Sequence, residues 1–436
     1  MVAQQKMPSQ NKENEKMINA NNRFDAIVIG GGPAGSATAT ILARRGYRVA
    51  IFERDHFPRF HVGESLIPFC YPVLEKIGML PKMQTSHFTK KYGVQFINEA
   101  GKLSEPFRFS QYDPHERSQT WQVLRSEFDK MMIDNARENG VEVYEGTRVL
   151  DCLQDGERVV GVRAKMEGSD EASDFFAQVV IDASGQSSML IDRFELRQWD
   201  TELKKAAIWT YWKGAHREPG LDEGGTIVIQ TEKKKGWFWY IPLHDDVVSV
   251  GVVADFEYLF KNRGTKNPET IYMEEVDRCP GVKPRIADAT RCNEYFVQKE
   301  YSYKAKRGGG DGWVLVGDAY GFLDPLYSSG VLLALKSADV VGEAVADALD
   351  AKDPSEERLR RWEPEYNKAM DRMRNLVLAF YDGLNFGKLV RKHPEKKNLI
   401  TDILIGNIFE DRVDELWPLI DELRRESEEE AMQTAS

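Results

Sequence analysis

The stretch Phe24-Asp25-Ala26-Ile27-Val28-Ile29-Gly30-Gly31-Gly32-Pro33-Ala34-Gly35 constrains this chain more than any other. A short apolar, β-branched run suits a buried parallel strand. It leads into a G-x-G-x-x-G turn, and Ser36 to Arg45 then reads as a helix rich in alanine and leucine. Arg48-Val49-Ala50-Ile51-Phe52-Glu53 reads as a second strand, ending in an acid about 20 residues after the glycines. Gly30 permits the tight turn, Gly32 lets a pyrophosphate approach the backbone, and Gly35 lets helix and strand pack closely. Pro33 and Ala34 open the helix, whose free N–H groups and positive dipole end suit phosphates. Glu53 can accept hydrogen bonds from a ribose 2′-OH, and Arg54 beside it belongs to the same cofactor-binding set. A lone glycine pattern could be no more than a tight turn. In this strand–turn–helix–strand–acid frame it predicts a dinucleotide site.

The chain has 436 residues, 42% of them hydrophobic and 30% charged, enough for two packed domains or one large domain with an insertion. Its net charge of −11 argues against a nucleic-acid partner. No apolar run approaches the ~18 residues that span a bilayer, so no stable membrane insertion is expected. Residues 1–22 are polar, lack the apolar centre of a signal peptide, and are expected to form a disordered tail. Cys70, Cys152, Cys279 and Cys292 lie far apart without a C-x-x-C pair, which points to small buried side chains in a reducing cytoplasm. The seven histidines show no H-x-x-x-H spacing, so they are assigned no metal.

The expected fold class is α/β: a Rossmann-like FAD/NAD(P)-binding domain, an antiparallel β-sheet substrate domain and a helical C-terminal segment. Residues 23–195 and 308–350 are expected to form a discontinuous FAD-binding domain. Residues 196–307 alternate polar and apolar side chains, as in Thr226-Ile227-Val228-Ile229, and predict the substrate sheet. Residues 351–436 become helical, with apolar residues at i, i+3, i+4 from Glu356 to Phe380 and a frayed acidic end from Ser427. The cluster Gly308-Gly309-Gly310-Asp311-Gly312 precedes a strand, so it reads as a hinge or turn and not as a second phosphate loop.

Val179-Val180-Ile181-Asp182-Ala183-Ser184-Gly185 resembles the D-A-x-G turn of the glutathione-reductase-like flavoproteins, which places Asp182 near an adenosine. Trp313-Val314-Leu315-Val316-Gly317-Asp318-Ala319 resembles that group's G-D motif, in which Asp318 would hold the ribityl chain after Gly317. Arg125 sits where the group places an arginine over the cofactor; a surface arginine at a helix start is the plainer alternative. The resemblance implies FAD. No other convincing nicotinamide fingerprint appears, so reduced flavin (FADH2) arrives from a separate flavin reductase, or NAD(P)H docks transiently.

Two further fragments narrow the resemblance. Trp237-Phe238-Trp239-Tyr240-Ile241-Pro242 fits W-x-W-x-I-P, and Phe322-Leu323-Asp324-Pro325-Leu326-Tyr327-Ser328-Ser329-Gly330 fits F-x-x-P-x-x-S-x-G. With the loop Phe57-Pro58-Arg59-Phe60-His61-Val62-Gly63-Glu64-Ser65-Leu66-Ile67-Pro68, they make residues 23–350 resemble a flavin-dependent halogenase. In that family Gly63, Glu64 and Ser65 wrap the flavin and couple it to the halide site. The resemblance implies that reduced flavin and O2 convert chloride or bromide to hypohalous acid, which travels through a tunnel to a lysine facing an electron-rich ring. Ser329 and Gly330, at a helix N-terminus, would hold the halide through their amides, with Gly330 also against the flavin; an ordinary N-cap is the plainer reading. Lys91 matches the family lysine, counted back from Phe96. On a strand it faces away from Lys90, and burial would lower its pKa. Neutral, it could form a chloramine; protonated, it could hydrogen-bond hypohalous acid. Trp237, Trp239, Ile241 and Pro242 would form a barrier between flavin and substrate, although aromatic residues on a strand are more often core.

Tryptophan halogenases carry a glutamate where this chain has Tyr327, so the chain looks nearer the enzymes of phenols or pyrroles, some of which take substrates tethered to carrier proteins. A flavin monooxygenase or a prenyl-reductase-like oxidoreductase is the alternative function, and a non-catalytic flavin-binding protein is a third.

Overall fold

The computed structural model describes residues 22–426 except 262, 300, 301, 385 and 424. The expected tail over residues 1–22 and the end from Ser427 lie outside the described residues, save Asn22. That residue is tied down: its carbonyl accepts from Phe176 N at 2.8 Å.

The elements that build the site run as follows. β1 (Arg23–Ile29), α1 (Pro33–Arg44) and β2 (Val49–Phe52) realise the glycine fingerprint. β3 (Thr89–Lys91), β4 (Gly93–Ile97) and β5 (Thr120–Gln122) precede α2 (Arg125–Glu138), β6 (Glu142–Tyr144) and β7 (Ser173–Asp182). The middle of the chain supplies β8 (Lys205–Lys213), β9 (Thr226–Gln230), β10 (Gly236–Pro242) and β11 (Val247–Asp255). β12 (Trp313–Leu315) and α3 (Ser329–Asp350) follow, and α4 (Glu363–Tyr381) leads the helical C-terminal segment.

β12, β7, β1, β2 and β6 form a parallel sheet in that order. Val49–Phe52 is buried throughout, as expected of a strand covered on both faces. α1 packs on α3, where Gly342 lies against Ile41. Gly309–Gly310, expected as a hinge or turn, forms a short strand antiparallel to β12, joined to it through Gly312 at φ +76°. Two glycines carry no side chain to signal a strand, and the pairing is set by β12.

The second sheet contains β8, β11, β10, β9 and β4 in that order, antiparallel except for the β9–β4 pair, which is parallel. The stretch from β4 to Phe107–Arg108 falls within the 23–195 segment by sequence, yet it hydrogen-bonds to this second sheet.

β10 is buried along its whole length, and its alternation divides it. Trp237, Trp239 and Ile241 join the apolar cluster shared with the first sheet. Phe238 and Tyr240 join a separate cluster around Tyr272, on the other face. The end of α4 meets the first face where Trp237 Nε1 donates to Tyr381 OH at 2.9 Å, and Arg372 ties α4 to the chain beyond it, donating to Asp414 Oδ1 at 2.7 Å and to Ile408 O at 3.0 Å.

Candidate active site

A cavity of about 660 Å³ runs between the two sheets. At one end the β1–α1 turn supplies Gly30, Gly32, Pro33 and Ala34 to its lining. Gly30 has φ +101°, and a side chain on Gly35 would meet Gly30 O at 2.0 Å, so these positions shape the turn. Gly32 instead faces open space, with only Arg59 Nη2 at 3.5 Å. Glu53, also in the lining, accepts from Gly31 N at 2.8 Å and Asp55 N at 3.0 Å, leaving further lone pairs for a ribose. Arg54 lines the mouth and donates to Ser187 Oγ at 3.2 Å.

The middle of the cavity is more highly charged. Arg125 makes a two-pronged ion pair with Asp129 (2.8 and 3.0 Å) and donates to Val62 O at 2.7 Å, which fixes the wrapping loop. Gly63, Glu64 and Ser65 of that loop line the cavity. Burial raises the Glu64 pKa, and its carboxylate accepts from Tyr211 OH at 2.6 Å. Burial also lifts Asp318 to about 7, against the opposing pull of Arg125. Asp182 lies behind the lining. Its carboxylate accepts from Ser184 N at 2.9 Å and Leu190 N at 2.7 Å, so it builds the turn whose Ala183 and Gly185 reach the cavity. Gly317 likewise sits beneath the lining, where a side chain would meet Ala34 Cβ at 2.7 Å.

Gly330 lines the cavity, and a side chain there would have only Phe322 near it, at 4.0 Å. Ser329 is buried just outside the lining. Ser328 takes a left-handed conformation (φ +57°), and no side chain caps α3. The plain N-cap reading fails, and the first amides of a long helix start at the cavity wall without an intrahelical acceptor.

Trp237, Trp239 and Ile241 line the cavity from β10, whereas Pro242 is buried outside it. Trp239 lies across Gly251, where a Cβ would stand 2.2 Å from its ring, and donates to Ser249 Oγ at 3.1 Å.

Lys91 is 0% exposed while Lys90 is exposed, as strand alternation requires. Its Nζ donates to Ser65 Oγ at 2.8 Å and to Leu66 O at 3.0 Å. Ser65 Oγ meets Thr226 Oγ1 at 2.9 Å, and Gln122 Nε2 donates to the same threonine at 2.9 Å. Ser65 and Thr226 line the cavity, so the amine stands one hydroxyl behind its wall. Burial lowers the Lys91 pKa to about 7.

Sequence reasoning missed several of these groups. Arg59 lies in the wrapping loop, with Nη1 at 3.2 Å from Asp129 and a buried Nε that has no protein partner among the described residues. Asp129 follows Arg125 at i+4 on α2, a spacing that could have revealed it. Trp209 lines the cavity with its indole N–H buried and without a partner among the described residues. His87, Glu127 and His244 converge from three segments, which sequence spacing cannot reveal. Tyr327 is buried outside the cavity lining.

The residues present fit FAD: an open glycine cradle, an acid for the ribose, a buried arginine and unpartnered donors along one cavity. Fold and site together define an FAD-dependent oxidoreductase. A family described as FAD dependent oxidoreductase matches residues 25–191, and one described as tryptophan halogenase matches residues 115–386. The chain therefore belongs to the tryptophan-halogenase family of flavin-dependent halogenases. It is 32% identical to a tryptophan 2-halogenase of Chondromyces crocatus, over 82% of this chain and 67% of that protein. It is 33% identical to a 1H-pyrrole-2-carbonyl-[peptidyl-carrier protein] brominase of Pseudoalteromonas luteoviolacea, over 76% of this chain and 79% of that one. The structure of the flavin-dependent brominase Bmp2 superimposes with a TM-score of 0.81 at 28% identity, over 94% of this chain and 100% of the other. No helix among the described residues is long and apolar enough to cross a membrane.

Proposed function

We propose that this chain halogenates an electron-rich phenolic or pyrrolic ring, using FADH2, O2 and chloride or bromide, with Lys91 as the residue that delivers the halogen. The observation that carries the reading is Lys91 itself: a fully buried amine, pinned to a hydroxyl of the cavity wall.

Gly30, Gly32, Pro33, Ala34, Gly35, Glu53, Arg54, Arg125 and Asp318 would hold FAD, with Asp182 and Gly317 shaping its walls. Reduced flavin with O2 supplies the oxidising equivalents that turn halide into hypohalous acid. The amides of Ser329 and Gly330 offer the halide donors in a wall that would otherwise penalise a bare anion. Trp237, Trp239 and Ile241, backed by Pro242, keep a bulky ring away from the cofactor face. A neutral Lys91 amine has two N–H donors, and both have acceptors. Its lone pair remains to attack the halogen of HOX, giving R–NHX and water. The electrophilic halogen then passes to the ring, and a ring proton is lost.

Residues 23–195 and 308–350 serve the cofactor, 196–307 with the strands near 93–108 serve the substrate, and the helices that begin with α4 brace the substrate face. The flavin arrives reduced from a transient reductase partner. The pyrrole brominase is named for a carrier-bound substrate, and Tyr327 gives this chain no carboxylate at that position, which supports a phenol or a carrier-tethered pyrrole here. The Chondromyces relative is named for tryptophan, so tryptophan is the competing substrate. Four free thiols, three of them buried, fit a cytoplasmic setting.

The test supplies a flavin reductase, NADH, bromide and, in turn, a phenol, a carrier-bound pyrrole and tryptophan, with products read by mass spectrometry. Lys91→Met is expected to lower halogenated product at least 100-fold while FAD binding and reoxidation of reduced flavin survive, in line with the loss of a positioned catalytic group. Wild-type product from that variant would remove Lys91 from the mechanism, and a hydroxylated ring would turn the enzyme into a monooxygenase.

A further inference from the structure

We propose that His87, Glu127 and His244 form a binding site for one divalent cation of the Zn²⁺ class, outside the flavin cavity. Their ligand atoms all lie within 4.8 Å of one another. Glu127 presents one oxygen to each histidine, Oε2 at 2.8 Å from His87 Nε2 and Oε1 at 3.3 Å from His244 Nε2. The imidazoles stand at 89° with centroids 4.4 Å apart, so their Nε2 edges converge on the carboxylate without stacking.

These separations suit a metal. Tetrahedral Zn²⁺ with ligands at about 2.0–2.1 Å spaces its ligand atoms about 3.4 Å apart, so small rotations of the three side chains would complete the set. Two imidazoles and one carboxylate leave a fourth position for water. Nitrogen ligands favour Zn²⁺ or Co²⁺ over Mg²⁺ and Ca²⁺, which take oxygen. Charge points the same way. With neutral histidines the cluster carries the Glu127 charge, and Asp245 Oδ2 lies 3.8 Å from His244 Nε2. A dication offsets both. The His244 side chain is 10% exposed, and its Nδ1 has no partner among the described residues. The carboxylates of Glu127 and Asp245 both lie on the Nε2 side of the ring, so a cation bound there would take the place of the Nε2 proton and leave the ring proton on Nδ1. The His87 side chain is 66% exposed and leaves a cation a way in.

The position gives such a cation leverage. His87 shortly precedes β3 and Lys91, Glu127 lies in the first turn of α2 behind Arg125, and His244 follows β10 and Pro242. One bound ion would clamp the lysine strand, the arginine helix and the end of the tryptophan strand together. Each is anchored elsewhere, so the clamp tightens an existing arrangement.

The test titrates the tag-free, EDTA-treated full chain with Zn²⁺ alone and then with Co²⁺. Wild type is expected to bind one Zn²⁺ per chain by calorimetry, with the thermal midpoint rising about 2–4 °C at saturation. Co²⁺ should give visible tetrahedral bands without thiolate charge transfer. His87→Ala, at an exposed position that should not disturb folding, and Glu127→Gln should abolish these signals, whereas Cys292→Ser should keep them. Absence of binding in wild type, or an undiminished site in both variants, would leave the triad as a plain hydrogen-bonded cluster and overturn the proposal. The readout needs neither substrate nor turnover, so it stands or falls apart from the role of Lys91.

Discussion

Lys91 shows how far a single side chain could be read ahead of the fold. Strand alternation was enough to set it opposite Lys90, and the burial of one and exposure of the other bear that out. Its link through Ser65 to Thr226 and Gln122 was not legible, because those residues come from segments separated by much of the chain. The lowered pKa has a signed consequence. The folded value is about 7 against an ordinary lysine value of 10.5, with burial as the cause. Between those values the unfolded chain binds the proton and the folded chain does not, so this group's burden on stability is greatest below 7 and fades as pH rises. For delivery by the neutral amine, the fraction of flavin oxidation that ends in halogenated product should climb about tenfold per unit below pH 7 and level off above it. Coupling that falls across the same range would identify the ammonium as the working form.

Among the elements, β10 is where pattern and structure agree most closely. Its aromatic residues alternate between two apolar clusters, so one face is free to wall the cavity while the other is locked around Tyr272. The neighbouring strand makes room for this. Gly251 holds no side chain where the Trp239 ring passes, and Gly251→Ala would place a methyl about 2.2 Å from it. That variant should lose about 1–3 kcal/mol in urea unfolding. It should also release more peroxide per flavin oxidised, because the indole must move. The glycine fingerprint was legible for the same reason as β10: its signal is local. The parallel pairing of β4 with β9 was not, since nothing in either strand names a partner so distant in sequence. Gly309–Gly310 read as a turn because its strand character is imposed entirely by its neighbour.

At the scale of the whole molecule, the C-terminal helices brace the cavity wall from behind without lining it. Tyr381, at the end of α4, accepts from Trp237 Nε1 at 2.9 Å and donates to Asp324 Oδ2 at 2.8 Å. One hydroxyl thus joins α4, the tryptophan wall and the segment that leads into α3. Burial raises Asp324 to about 6, and the Tyr381 bond works against that rise. Tyr381→Phe removes both bonds and should cost about 1–3 kcal/mol, measured by urea unfolding. It should also push the Asp324 titration, followed by NMR, to higher pH. Helical periodicity announced α4, but the target of its last residue was beyond any sequence pattern.

The interrupted order of the first sheet bears on synthesis. β12 pairs with β7, yet the ribosome makes the second sheet's β8 to β11 between them. A nascent chain that has not reached residue 313 therefore carries its nucleotide-side strands with one margin unzipped. The cofactor cavity, whose lining includes residues from Val316 to Ala334, is complete only once those residues have been made, and a chaperone that shields that bare margin would act in this interval.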